Sequence, residues 1–195
     1  FWLGIMKIGE NGGAIKFLSK LVSPLFTRLF PEIPKNHPAL GSMMMNFSAN
    51  MLGLDNAATP MGLKAMGQLQ EINPKKETAS NAQIMFLVLN TSGLTIIPVS
   101  IIALRASGGS ENPSMVFLPI LLATFVSSLF GLIITSIYQK INLFQPVVLA
   151  YIGGLSALIV ALFLYLGTLD KEGLEMASNL ISSSIILGII FGFII

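Results

Sequence analysis

The stretch PVVLAYIGGLSALIVALFLYLGTL, residues 146–169, contains no charged residue, and nothing else in the chain constrains the fold as strongly. A helix of that length matches the roughly 20 apolar residues needed to cross a bilayer. Two more uncharged runs, 114–139 and 178–195, meet the same condition. A fourth apolar stretch, 78–106, is long enough to span but is interrupted by NTSGLTIIP at residues 90–98. Only 10% of the chain is charged, against about 25% in ordinary soluble domains. So few charges cannot cover a soluble surface, and the expected fold class is an all-α polytopic membrane protein.

Several function classes drop out at once. The chain has no cysteine, which removes disulfides and thiolate chemistry. A net charge of +2, dispersed along the sequence, gives no footprint for nucleic acid. The spans hold no Ser–His pair, paired aspartates or metal-ligand set, so neither an enzyme nor a metal site is expected. The chain starts at Phe1 and ends within the apolar run ISSSIILGIIFGFII, and we expect both ends to be cuts in a longer protein.

Residues 13–30, GAIKFLSKLVSPLFTRLF, place Lys16, Lys20, Ser23 and Thr27 at helical spacing with Phe17, Leu21, Leu25 and Phe26 on other faces. Such a basic amphipathic helix lies in the membrane interface, its lysines toward anionic headgroups. Pro24 is expected to kink it. PEIPKNHP, residues 31–38, then forbids continuous helix. Basic residues also flank the far side of the next segment, at Lys64, Lys75 and Lys76, whereas the loops SGGSENPS and DKEGLE are not basic. With both flanks of residues 39–62 basic, the positive-inside tendency favours a re-entrant hairpin over a single crossing, and the hairpin with its helical tail is expected over residues 39–73.

Inside that hairpin, NFSANMLGLDNAATP at 46–60 concentrates amides and hydroxyls, and NTSGLTIIP at 90–98 does the same in the following span. Irregular backbone at membrane depth is tolerated where it is buried in protein or lines a watery cavity. Paired interruptions of this kind point to a transporter's binding site. Amides offer donor and acceptor together and suit a neutral polar solute, while hydroxyls with bared carbonyls suit Na⁺. The plainer reading of each residue is packing between helices. Asp55, the one acidic residue in an embedded stretch, is a candidate cation or proton site; its plainer role is a turn residue or helix cap.

WLGIMKIGE, LFPEIPKNHPALGSMMMNFSANMLGLDNAATPMGLKAM, NPKKETASNA and LNTSGLTIIPVSIIALRAS resemble the spore maturation protein A group of the Gate, or nucleoside recognition, superfamily. The resemblance covers residues 1–140. It implies an interfacial helix, a re-entrant hairpin, an unwound transmembrane helix and further transmembrane helices, together half of an inverted-repeat, transporter-like core. Residues 141–195 would then be two connector helices toward a second, spore-maturation-B-like half or subunit. The resemblance to nucleoside transporters of the superfamily implies a site with Asn50, Asn56, Thr59 and Pro60 on the hairpin side. Asn90, Thr91, Ser92, Thr95 and Pro98 would face them, with Pro60 and Pro98 as the helix breaks. The acidic and Gln-containing hairpin motif of those transporters is replaced here by NAATP.

The expected function is transport of a small polar solute, nucleoside-like by resemblance, with Na⁺ as candidate coupling ion and no other cofactor. The alternative is a membrane scaffold or assembly protein in which the polar breaks only lock helices together. A solvent-accessible cavity between 46–60 and 90–98 separates the two. Expected partners are the lipid bilayer, the second half and further copies of the chain, and the expected location is a bacterial cytoplasmic membrane.

Overall fold

A computed structural model describes residues 14–96 and 98–169, with isolated positions beyond; the side chains of residues 14–19, 55–57, 99 and 114 lie outside the description. All regular structure among the described residues is helical. In chain order the helices are α1 (Ala14–Leu29), α2 (Pro38–Met51), α3 (Asp55–Ile72), α4 (Asn81–Ser92), α5 (Val99–Ser107), α6 (Phe117–Tyr138) and α7 (Pro146–Gly167). A short 3₁₀ turn, Pro113–Val116, leads into α6.

Each boundary has a local cause. His37 caps α2, its Nδ1 accepting from the Ala39 N–H at 3.3 Å, and Pro38 at the first helical position has no N–H left to satisfy. Ser80 and Gln83 form a capping box at the start of α4, with Ser80 N–H donating to Gln83 Oε1 at 2.8 Å and Gln83 N–H to Ser80 Oγ at 3.2 Å. The helix α1 includes Pro24, whose missing N–H forfeits the bond to the carbonyl four residues back. Its buried stripe is Val22, Phe26 and Leu29, while Lys20 and Arg28 are exposed, as an amphipathic helix requires.

The helices α2 and α3 form a hairpin closed by residues 52–54. Gly53, at φ +61°, makes the turn possible: its N–H bonds Asn50 O at 2.9 Å and the Leu54 N–H reaches Ala49 O at 2.9 Å. This double closure needs a left-handed residue that only glycine adopts without cost. The helix α1 packs on α2 and α7, α3 on α4, and α4 on α6. Phe26 is the hinge of the α1–α2 contact, 5.4 Å from the Phe30 ring and 5.3 Å, edge-on, from Phe47.

The helices α6 and α7, 22 residues each, are long and apolar enough to cross a membrane. They lie where the uncharged runs 114–139 and 146–169 placed them. Their outward faces carry Phe130, Ile134, Ile137, Phe163 and Leu164 exposed. Contiguous apolar surface of this extent marks a membrane-facing wall. The span expected over 178–195 lies outside the continuously described residues.

Candidate functional site

Two interruptions of helix come together in space. The first is the hairpin turn after Met51. The second begins at Gly93, which ends α4 at φ +53°, and lasts until Pro98, the buried residue immediately before α5. Ile96 N–H donates to Met51 O at 2.9 Å, and Ser100 Oγ donates to Gly53 O at 2.5 Å. The carbonyls that a terminating helix leaves without partners are thus satisfied by the other interruption. Bared carbonyls were expected to suit a cation; those of Met51 and Gly53 are instead committed to Ile96 and Ser100.

Beside this junction, asparagines from three helical turns converge. Asn46, 2% exposed, donates through Nδ2 to Ala58 O across the hairpin at 2.7 Å. Asn50, one turn further along α2, donates to Asn90 Oδ1 of α4 at 2.5 Å and makes a longer 3.5 Å contact with Asn46 Oδ1. These bonds leave one atom of each of these two amides without a partner among the described residues: Asn50 Oδ1, an acceptor, and Asn90 Nδ2, a donor. Gly62 of α3 makes the convergence possible, since a Cβ there would meet Asn46 Nδ2 at 2.9 Å and Asn90 Nδ2 at 3.4 Å.

These residues line a cleft of about 380 Å³. Asn46, Asn50, Ala58, Gly62 and Asn90 form its inner part; Thr59, Leu63 and Leu87 stand exposed at its rim, and Met66 and Phe86 supply apolar wall. The volume falls within the range of small-molecule sites, and a mostly apolar lining with a few convergent polar groups is their usual construction.

The residues expected from sequence divide three ways. Asn50, Thr59 and Asn90 are brought to the cleft. Thr91, Ser92 and Thr95 are not: their hydroxyls donate to Leu87 O at 2.8 Å, Leu89 O at 3.1 Å and Gly93 O at 2.8 Å, each within its own segment. The Asp55 and Asn56 side chains lie outside the described residues. Pro60 is a correction, because it sits exposed inside α3 and breaks nothing. So near the helix start, its missing N–H forfeits one bond and its fixed φ continues the helix. Asn46 and Gly62 were missed; the signal for Asn46 was its i, i+4 spacing from Asn50, which puts both on one helical face.

A second amide cluster supports the hairpin from its other end. Buried Asn73 donates to Thr78 O at 2.8 Å, Gln70 Oε1 at 3.1 Å and Gln83 Oε1 at 3.2 Å, and accepts from the Lys75 N–H at 3.1 Å. Gln83 Nε2 in turn donates to Gln70 Oε1 at 2.9 Å. The α3–α4 connection is thereby clamped, which fixes the distance between the hairpin and Asn90.

An all-helical bundle with apolar outer walls and a polar cleft beside paired helix interruptions defines a helical membrane protein. A family model described as Gate, nucleoside recognition, matches residues 1–108. Spore maturation protein A of Bacillus subtilis (strain 168) is 44% identical over 134 residues, covering 69% of this chain and 68% of that protein. No solved structure matches the chain significantly. The chain belongs to the Gate, or nucleoside recognition, family.

Proposed function

We propose that this protein is a multi-pass, transporter-like permease of a bacterial cytoplasmic membrane, not an enzyme, and that it binds a small polar solute in the Asn46–Asn50–Asn90 cleft. The observation that carries the reading is that both amides line the cleft, where the Asn50 carbonyl oxygen and the Asn90 N–H₂ make no bond to another described residue. A fixed acceptor and donor side by side complement the donor–acceptor edge of a nucleobase or the hydroxyls of a sugar. A nucleoside-like solute is favoured by the family description as well. In this reading the α2–α3 hairpin is re-entrant, α4 and α5 form one crossing unwound over 93–98, and a second, spore-maturation-B-like half or further copies complete the core. Na⁺ is the proposed coupling ion and Asp55 its proposed group.

The test is thermal stabilisation of the full-length protein over a panel of nucleosides, bases, other polar solutes and Na⁺. A ligand that binds only the folded protein raises its stability by about 2.7 kcal/mol at a hundredfold excess over Kd. A shift that disappears in Asn50→Ala and Asn90→Ala supports the site. No shift across the panel refutes it.

One observation favours the scaffold reading: the carbonyls of Met51 and Gly53 find partners within the protein, and Asn50 Nδ2 bonds Asn90 Oδ1. In that case Asn90→Ala lowers thermal stability, and no solute in the panel shifts it.

A further inference from the structure

A second cavity, about 260 Å³, lies between α1, α2, α4, α6, α7 and the 93–98 link, apart from the polar cleft. Its wall is built of side chains such as Phe26, Phe47, Phe125, Leu132 and Ile152. One polar atom interrupts this lining without a partner. Ser128 is nine-tenths buried, and its Oγ makes no hydrogen bond, not even to the carbonyl one turn back on α6. A buried hydroxyl in that state is unusual and calls for an explanation.

Three occupants can be compared. A polar solute would exchange its hydration for a lining whose one unpartnered polar side-chain atom is Ser128 Oγ, which opposes entry. An ordered water needs two to four polar partners and finds one. A hydrocarbon chain matches the wall, and 260 Å³ accommodates about nine groups at the roughly 30 Å³ that a water occupies in the liquid. Left empty, the lining forfeits the contacts that packing would supply.

The mouth of the cavity indicates where such a chain comes from. Leu21 lines it and is 50% exposed, and the Tyr151 hydroxyl donates to Leu21 O at 2.5 Å, marking the seam between α1 and α7. Lys20, exposed, is the residue before Leu21, about 100° round the helix from it, and α1 carries no acidic side chain over its length. Basic residues on an amphipathic helix attract anionic headgroups.

We infer that this cavity is an acyl-chain site for an anionic glycerophospholipid of the bilayer. The chain fills the apolar volume, its ester carbonyl accepts from Ser128 Oγ, and the phosphate stands near Lys20. Leu94 and Ile96 of the helix break and Met51 at the end of α2 line the same volume, so the chain braces the junction of the two interruptions. The site does not depend on the solute reading above.

Native mass spectrometry of the full-length protein, titrated with palmitoyl-oleoyl phosphatidylglycerol, provides the test, with the phosphatidylcholine counterpart as comparison. One phosphatidylglycerol is retained per chain. Ser128→Ala weakens retention about 2- to 12-fold, the value of one net hydrogen bond. Ser128→Leu, or Leu155→Phe if that variant fails to fold, fills the cavity and lowers retention at least about tenfold. Phe130→Leu, on the exposed face of α6, leaves it unchanged. Lys20→Gln removes the preference for phosphatidylglycerol over phosphatidylcholine. Equal retention in the filled variants overturns the inference, as does a protein that retains no phospholipid, because the chain itself then fills the space. Retention lost in Lys20→Gln but not in the filled variants overturns it too, since binding is then to the headgroup alone.

Discussion

Asn50 and Asn90 are forty residues apart, and the amide of the first donates to the carbonyl oxygen of the second at 2.5 Å. This bond joins the hairpin to the interrupted helix at the cleft. Replacing either residue by Ala is expected to lower stability by about 0.5–1.5 kcal/mol. A double-mutant cycle, read from thermal unfolding, should return a coupling of about 0.6 kcal/mol, typical of bonds between membrane helices. Additive effects of the two substitutions would show that the bond contributes nothing.

Gly62→Ala tests the geometry of the same cleft by steric means. A new Cβ 2.9 Å from Asn46 Nδ2 forces that amide off Ala58 O, and the expected cost is about 1–3 kcal/mol. Gly67→Ala, one turn and a residue further along α3 with nothing within 4 Å, should instead be neutral or stabilise by up to about 1 kcal/mol. The contrast in melting temperature between the two variants is the measurement.

Ser100→Ala removes the donor to Gly53 O and leaves the hairpin turn with an unsatisfied carbonyl. A loss of about 1–3 kcal/mol is expected. Hydrogen exchange should accelerate at the Ile96 amide, whose bond to Met51 O lies at the same junction. Ser100→Thr keeps the hydroxyl and should retain protection.

Asn73→Ala strips four hydrogen bonds from the clamp between α3 and α4. Gln83 keeps its bonds to the Ser80 N–H and Gln70 Oε1, but Thr78 O and the Lys75 N–H lose the side chain that satisfied them, and destabilisation of about 1–3 kcal/mol is expected. Combining it with Gln83→Leu should cost less than the sum of the single changes. Strict additivity in chemical unfolding would mean the two amides act independently.

Much of the architecture was legible because membrane helices announce themselves by length and absence of charge. The α6 and α7 helices fall where the runs 114–139 and 146–169 put them, and the interruption at 93–98 follows from Gly93 and Pro98. The cleft was only half legible. Polar composition located the two interruptions but could not show which way a hydroxyl turns. Thr91, Ser92 and Thr95 each have a carbonyl of their own segment within reach, and in an apolar setting that local bond takes the hydroxyl. Asparagine amides, which do not back-bond along a helix so readily, reach across to other elements instead. Pro60 misled because a proline near a helix start and a proline at a break look alike in sequence. The apolar cavity around Ser128 left no trace at all, since it arises from how five helices meet.

The bonds from Ile96 to Met51 and from Ser100 to Gly53 also decide where this molecule can bend. With its tip fastened to the start of α5, the hairpin cannot swing from that end without breaking both. The loop 73–80 at the opposite end is held by the Asn73 clamp, which leaves the Pro-rich turn at 31–38 as the place where the hairpin can pivot. The tip and α5 then travel as a single body, and the mechanical axis of the protein lies at its base.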